Sequence, residues 1–273
     1  MFGQRSAGGG GFRISPTIII ALVMAAFTLF KYYANSTYNE LTGEKQHISM
    51  SPDQEIAMGL QSAPQMIAEM GGEVQGTQYD ALVKRVGEKL VRNTGASNTI
   101  YKDNFNFHLL ADQQTVNAFA MPGGQVFITT ALLSQLENED QLAGVLGHEI
   151  GHVVARHSAE KLAQMELAQG LTGAVSMATY DPTNPSGGAL AQMVSNMMQL
   201  KYGRDQELQS DDLGVRFMME AGYDPEQLIG VMEILKRASG NRETPEFQSS
   251  HPDPENRKEH ILEAIKKYRL GQK

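Results

Sequence analysis

The chain has 273 residues, with 23 Lys and Arg against 31 Asp and Glu and no cysteine. A net charge of −8 argues against a sequence-independent grip on nucleic acid, whose affinity comes from neutralising phosphates. The lack of cysteine excludes disulfides, thiol catalysis, thiolate zinc fingers and a lipid-modified N-terminal cysteine, so any metal must be held by His, Asp or Glu. With 41% apolar and 20% charged residues, the chain is neither a disordered tail nor a multi-span membrane protein.

Residues 1–31 contain Arg5, Arg13 and Lys31 but no acid. Between them, Ile14 to Phe30 is an apolar run that as a helix spans about 25 Å, just enough for a bilayer core. One reading makes residues 1–36 a flexible tail and an uncleaved signal anchor. Another is a signal peptide cut at Ala34-Asn35-Ser36, leaving a soluble periplasmic protein. A buried core helix is the third. Lys31, Tyr32 and Tyr33 resemble an interfacial belt and favour the anchor. Arg5 and Arg13 precede the run, so positive-inside bias puts the N-terminus in the cytoplasm and the rest on the periplasmic side of the cytoplasmic membrane.

Residues 37–50 are polar and turn-rich and read as a linker; 51–273 read as the folded domain, with no internal repeat. Ser51-Pro52-Asp53-Gln54-Glu55 opens a capped helix towards Met70. A second helix fits 79–93, with Leu82, Val86 and Leu90 on one stripe. Three short strands follow at 105–110, 117–121 and 125–129, the last two separated by a Pro122-Gly123-Gly124 turn. From Thr130 onward the pattern is helical: 130–137, 139–157, 158–178, 188–201, 204–221, 225–238 and 255–268, with a loop at 181–188. The expected class is α+β, predominantly helical, with a small sheet of about three strands.

The chemistry concentrates in Gly147-His148-Glu149-Ile150-Gly151-His152. On a helix His148 and His152 stand at i and i+4, so both imidazoles leave one face and can clamp one ion. Glu149 is turned about 100° from His148, where it reaches a water on that ion without being a ligand and suits a general base. The surrounding Ala, Val, Leu and Gly indicate a buried helix, in which His-Glu-His without a metal would be costly. A catalytic zinc needs a third protein ligand and an open position. Glu207 and Asp211, also i and i+4, supply an acid ligand and an acceptor for the free ring N–H of a ligand histidine; Gly214 on nearly the same stripe lets another helix approach. Taken alone, that stretch reads rather as a solvated acidic helix face.

These two motifs, together with Asn117-Ala-Phe-Ala-Met-Pro-Gly-Gly-Gln-Val-Phe-Ile-Thr129, resemble the HtpX-like and BepA-like zinc metalloendopeptidases. That family also holds the CAAX prenyl endopeptidases and the Oma-type mitochondrial proteases. The resemblance covers residues 45–265 and implies a gluzincin-type fold, one Zn2+ on His148, His152 and Glu207, and Glu149 as base. It makes Asn117, Ala118, Phe119 and Ala120 a sheet edge that pairs with an extended peptide; equally, these residues simply bury a strand. Ser250-His251-Pro252 with Arg257 resembles another element of the family. Two roles for His251 stay open, helping the oxyanion or plugging the site as a fourth ligand; Arg257 contacts substrate or pairs with a carboxylate.

His157 is expected near a helix C-terminus, in contact with its dipole. His47, His108 and His260 show no partner pattern, and Met193, Met197 and Met198 read as core rather than a mobile lid. The expected function is zinc-dependent endoproteolysis of misfolded or unassembled envelope proteins, with the membrane engaged through the N-terminal helix and no nucleic acid. The rivals are a chaperone or assembly factor that docks substrates in the cleft with little cleavage, and a structural zinc domain. Oligomeric state is not legible in the sequence.

Overall fold

The helices that follow Ser51 and Thr77 begin where a side chain can replace the missing backbone partners of the first turn. In α2 (Pro52–Glu69) the Ser51 hydroxyl accepts from Gln54 N while Gln54 Oε1 accepts from Ser51 N, a reciprocal capping box. Thr77 caps α3 (Gln78–Arg92), whose buried stripe is Val83, Val86, Leu90 and Val91. The computed structural model describes residues 16–178, 202–238, 247, 251 and 256–271. The expected helix 188–201, the 181–188 loop and Met193, Met197 and Met198 lie outside the described residues.

Three strands, β3 (Asn106–Leu110), β4 (Ala118–Met121) and β5 (Gln125–Thr129), form one sheet in the order β3-β5-β4. Central β5 is buried throughout; it runs parallel to β3 and antiparallel to β4, which leaves β4 at an edge. The 130–137 helix is shorter than expected, a single turn α4 (Thr130–Leu133). Then follow α5 (Glu139–Val154), α6 (His157–Ala178), α7 (Arg204–Glu220), α8 (Gln227–Ala238) and α9 (Arg257–Arg269).

The 37–50 stretch, expected as a linker, holds an antiparallel hairpin of β1 (Ser36–Asn39) and β2 (Glu44–His47). Asn39 Nδ2 donates to the carbonyl of Val154 and Gln46 Nε2 to that of Ala155, so the hairpin satisfies carbonyls left over at the end of α5. Its strands are four residues each and nearly all polar, so no apolar alternation announces them.

Helix α5 stops because Arg156 takes a left-handed conformation, φ 58°. Its guanidinium holds that turn by donating to Glu55 Oε1 and to the Met50 carbonyl, while Tyr101 Oη donates to Glu55 Oε2. The next residue, His157, therefore opens α6 instead of closing α5.

Every residue of α5 from Gln141 to Val154 is buried. The helix is packed between β4, α3, α8 and α7, and its tightest neighbour is α7. There the backbones touch: a Cβ on Gly214 would meet His148 N at 3.2 Å, and one on Gly151 would meet Ser210 O at 3.1 Å. Helix α1 (Pro16–Ala34) packs along α6 and leaves Leu22, Val23, Phe27 and Phe30 exposed, with only Ala21 buried. Among the described residues it is the one helix long and apolar enough to cross a membrane.

A side chain at Gly214 must push α5 and α7 apart. Gly214→Leu is expected to destabilise the protein by about 1–3 kcal/mol, as overpacking against rigid backbone does. Thermal unfolding measures it; an unchanged melting temperature contradicts the contact.

Candidate metal centre

The crossing of α5 and α7 brings together side chains that are 55 or more residues apart in sequence. Donor atoms of His148, His152, Glu207 and His251 all lie within 4.8 Å of one another, and all four residues are buried. His148 Nε2 is 3.0 Å from His152 Nε2, and Glu207 Oε2 is 3.4 Å from His148 Nε2. His251, expected either as an oxyanion helper or as a plug, sits inside the cluster with Nδ1 3.0 Å from Glu207 Oε1. Glu149 stands at the rim, Oε1 3.6 Å from His251 Nε2.

Behind this cluster two hydrogen-bonded chains orient the imidazoles. Asp211 Oδ1 accepts from His148 Nδ1–H at 2.9 Å, which turns Nε2 of His148 towards Glu207. Arg257 donates to both oxygens of Asp211, so the arginine pairs with a carboxylate beneath the site. On the other side His157 Nε2–H donates to Gln209 Oε1, leaving its Nδ1 to accept from His152 Nδ1–H at 2.9 Å. The expectation for His157 is thereby corrected. It is buried as the first residue of α6, past the end of α5, and it fixes the ring of His152.

The electrostatics call for a cation. Burial alone would lower His148, but Asp211 and Glu207 outweigh burial and lift it to about 9. Burial pushes Glu207 up, yet the charge of His251 and hydrogen bonds from the three histidines hold it well below the usual carboxylate range. Burial drives His152 well below its ordinary value and His157 down to about 4, and raises Glu149. Both carboxylate oxygens of Glu149, together with Glu207 Oε2 and His251 Nε2, are buried without a hydrogen-bond partner. Imidazole nitrogens, an ionised carboxylate and orphaned polar atoms facing one point are the donor chemistry of a transition-metal site, so these residues fit a metal.

Two aromatic neighbours escaped the sequence reading. Tyr202 stacks on His152 with centroids 3.9 Å apart, and Phe247 stacks on His251 at 4.5 Å. No motif marks either; only the fold brings them here. Asn117 precedes the edge strand that carries Ala118, Phe119 and Ala120, and β4 packs directly on α5. His108, given no partner from sequence, bonds Glu73 and Gln125; His47 stacks on Tyr32, and His260 is exposed.

A buried His-His-Glu donor set with a second carboxylate beside it, on a mostly helical fold, fits the class of metal-dependent peptidases. Residues 77–265 match the model of Peptidase family M48. The chain is 30% identical over 210 residues to the metalloprotease YcaL of Escherichia coli (strain K12), covering 74% of this chain and 78% of that protein. It is 29% identical over 232 residues to the mitochondrial metalloendopeptidase OMA1 of Schizosaccharomyces pombe, covering 83% of this chain and 65% of the relative. Against the beta-barrel assembly-enhancing protease of Escherichia coli (strain K12) it is 29% identical over 253 residues, covering 88% and 50%. The chain thus spans between half and just under two thirds of the length of these last two relatives. It belongs to peptidase family M48, as its resemblance to the HtpX-like, BepA-like and Oma-type enzymes implied.

Removing the acceptor of the His152 ring should loosen the metal. His157→Ala is expected to lower affinity for a divalent transition ion about 10- to 100-fold, and His157→Asn, which keeps an acceptor, to recover much of it. Competition with a chromogenic chelator reads both; equal affinities for Ala and Asn variants contradict the role.

Proposed function

We propose that this chain is a zinc metalloendopeptidase that cleaves internal peptide bonds of misfolded or unassembled envelope proteins. The supporting observation is the carboxylate of Glu149, buried without a hydrogen-bond partner beside three histidines and Glu207. His148, His152 and Glu207 would hold the ion, an all-nitrogen-and-oxygen set that suits zinc. Bound there, zinc supplies Lewis acidity and brings the pKa of a water ligand to about 7. Glu149 accepts the proton of the attacking water and passes it to the leaving amine nitrogen. Asp211, clamped by Arg257, and His157 keep the two imidazoles in register while this happens.

Substrate is expected to add to the free edge of β4 as an extended strand, which suits unfolded chains because backbone groups supply the recognition. The segment bearing His251 already borders that edge: Phe247 N–H donates to the carbonyl of Val116, just before β4. With His251 as a fourth donor the site is closed, so the arrangement described here is a latent one, and His251 withdraws when a peptide enters. The same closure favours a second reading, an assembly factor that docks substrates and seldom cuts. Helix α1 is the proposed single-pass anchor, with the catalytic domain on the periplasmic side.

Cleavage of an unfolded protein by the zinc-loaded chain tests the reading. Glu149→Gln is expected to retain zinc and lose about 10²- to 10⁴-fold in rate. His251→Ala is expected to retain zinc and cleave faster than the natural chain. Zinc binding without cleavage by either the natural chain or the His251 variant would leave the docking reading standing and remove the peptidase one.

A further inference from the structure

Helix α6 runs antiparallel to α1. Lys31 pairs with Glu166 at 3.2 Å, and a Cβ on Gly170 would lie 2.5 Å from Thr28 Cγ2, so the helices close on each other beyond the ion pair. At 1.5 Å per residue, Ala174 lies about 12 Å past Glu166 and Ala178 about 18 Å past it. Ala174 is buried, as is Ala21 on α1.

The chemistry of α6 changes at the same level. Residues 157–166 include Glu160, Lys161 and Glu166, whereas Leu167 to Ala178 contain no Asp, Glu, Lys or Arg. Two hydroxyls at this level are satisfied within their own helices. Thr172 Oγ1, on an exposed position of α6, donates to the Ala168 carbonyl, and Thr28 Oγ1 on α1 donates to that of Met24. Internal i to i−4 bonding is what a helix needs where no water can serve its hydroxyls. The small residues Gly170 and Ala174 allow the close approach by which helices pair in lipid.

We infer that the Leu167–Ala178 half of α6 is embedded in the same bilayer as α1, so that the chain meets the membrane through a helix pair. The inference rests on α1 being a membrane anchor. If Lys31 marks the interface, whatever α6 contacts below Lys31 lies in hydrocarbon too. Leaving the bilayer would cost α6 its contact with Thr28. Charged groups, expensive at that depth, are absent from it. The consequence for function is geometric. His157, which holds a metal-site histidine, precedes Glu166 by nine residues of one continuous helix, about 14 Å. The catalytic cleft is thereby held close to the membrane surface, within reach of protein segments lying at or emerging from it.

The natural chain lacks cysteine, so single-cysteine variants report cleanly on water access. In membranes open to reagent on both faces, Val23→Cys (α1), Thr172→Cys (α6) and Lys102→Cys (an exposed residue of the catalytic domain) are treated with a water-soluble maleimide. Thr172→Cys and Val23→Cys are expected to react at least about tenfold more slowly than Lys102→Cys, because the reactive thiolate is disfavoured in hydrocarbon. Fast reaction at 172 with position 23 protected overturns the embedding of α6 and leaves the anchor intact. Fast reaction at both removes the anchor itself. A bimane attached at 172 separates lipid from protein cover: quenching by lipid-borne nitroxide supports the inference, and quenching by aqueous iodide alone overturns it.

Discussion

The structure depends on one contact, the backbone-to-backbone approach of α5 and α7. Gly147 and Gly151 on one helix and Gly214 on the other leave no side chain between them. A wider crossing would carry Glu207 away from His148 and His152. Because each helix contributes residues at i and i+4, a single crossing aligns two imidazoles with two carboxylates at once. The hydrophobic core then serves the site. Leu142, Leu146 and Ile150 on α5 and Val215, Phe217 and Met218 on α7 bury the remaining faces and keep the helices from sliding.

Burying so many ionisable groups would be ruinous if they were unpaired. The molecule answers with two chains of partners that begin at the periphery and end at the cluster. One runs from Arg257 on α9 through Asp211 to His148; the other runs from Gln209 through His157 to His152. Elements far apart in sequence thus share one electrostatic assembly, and both oxygens of Glu149, Glu207 Oε2 and His251 Nε2, buried without hydrogen-bond partners, face the place where the ion is proposed to bind.

Much of this was legible beforehand because the signals were local. Helix caps at Ser51 and Thr77, the turn before β5 and the i, i+4 spacing of His148 with His152 and of Glu207 with Asp211 depend only on neighbouring residues. What failed depended on distant ones. The β1–β2 hairpin exists because Asn39 and Gln46 find the end of α5, more than 100 residues away. His157 was misjudged because nothing in Ala155-Arg156-His157 announces a left-handed arginine; Glu55 and Met50 hold it there from another helix and its approach. Tyr202 and Phe247 carry no motif, and their stacking on the histidines is purely tertiary.

The same asymmetry marks the end of the molecule proposed to meet the membrane. Helix α1 declares itself by composition, whereas α6 does so only through its neighbour: the absence of charge after Glu166 acquires meaning once Thr28 and Gly170 are seen in contact. On the proposed reading, one end of α6 supports the metal centre and the other packs on the anchor helix.

The most direct test of the central claim is X-ray absorption at the zinc edge of the zinc-loaded chain. The account requires a shell of nitrogen and oxygen alone at about 2.0–2.2 Å, with outer-shell scattering from two or three imidazoles that diminishes in His152→Ala. A shell without imidazole scattering, or one unchanged by that substitution, would place the metal elsewhere and contradict it.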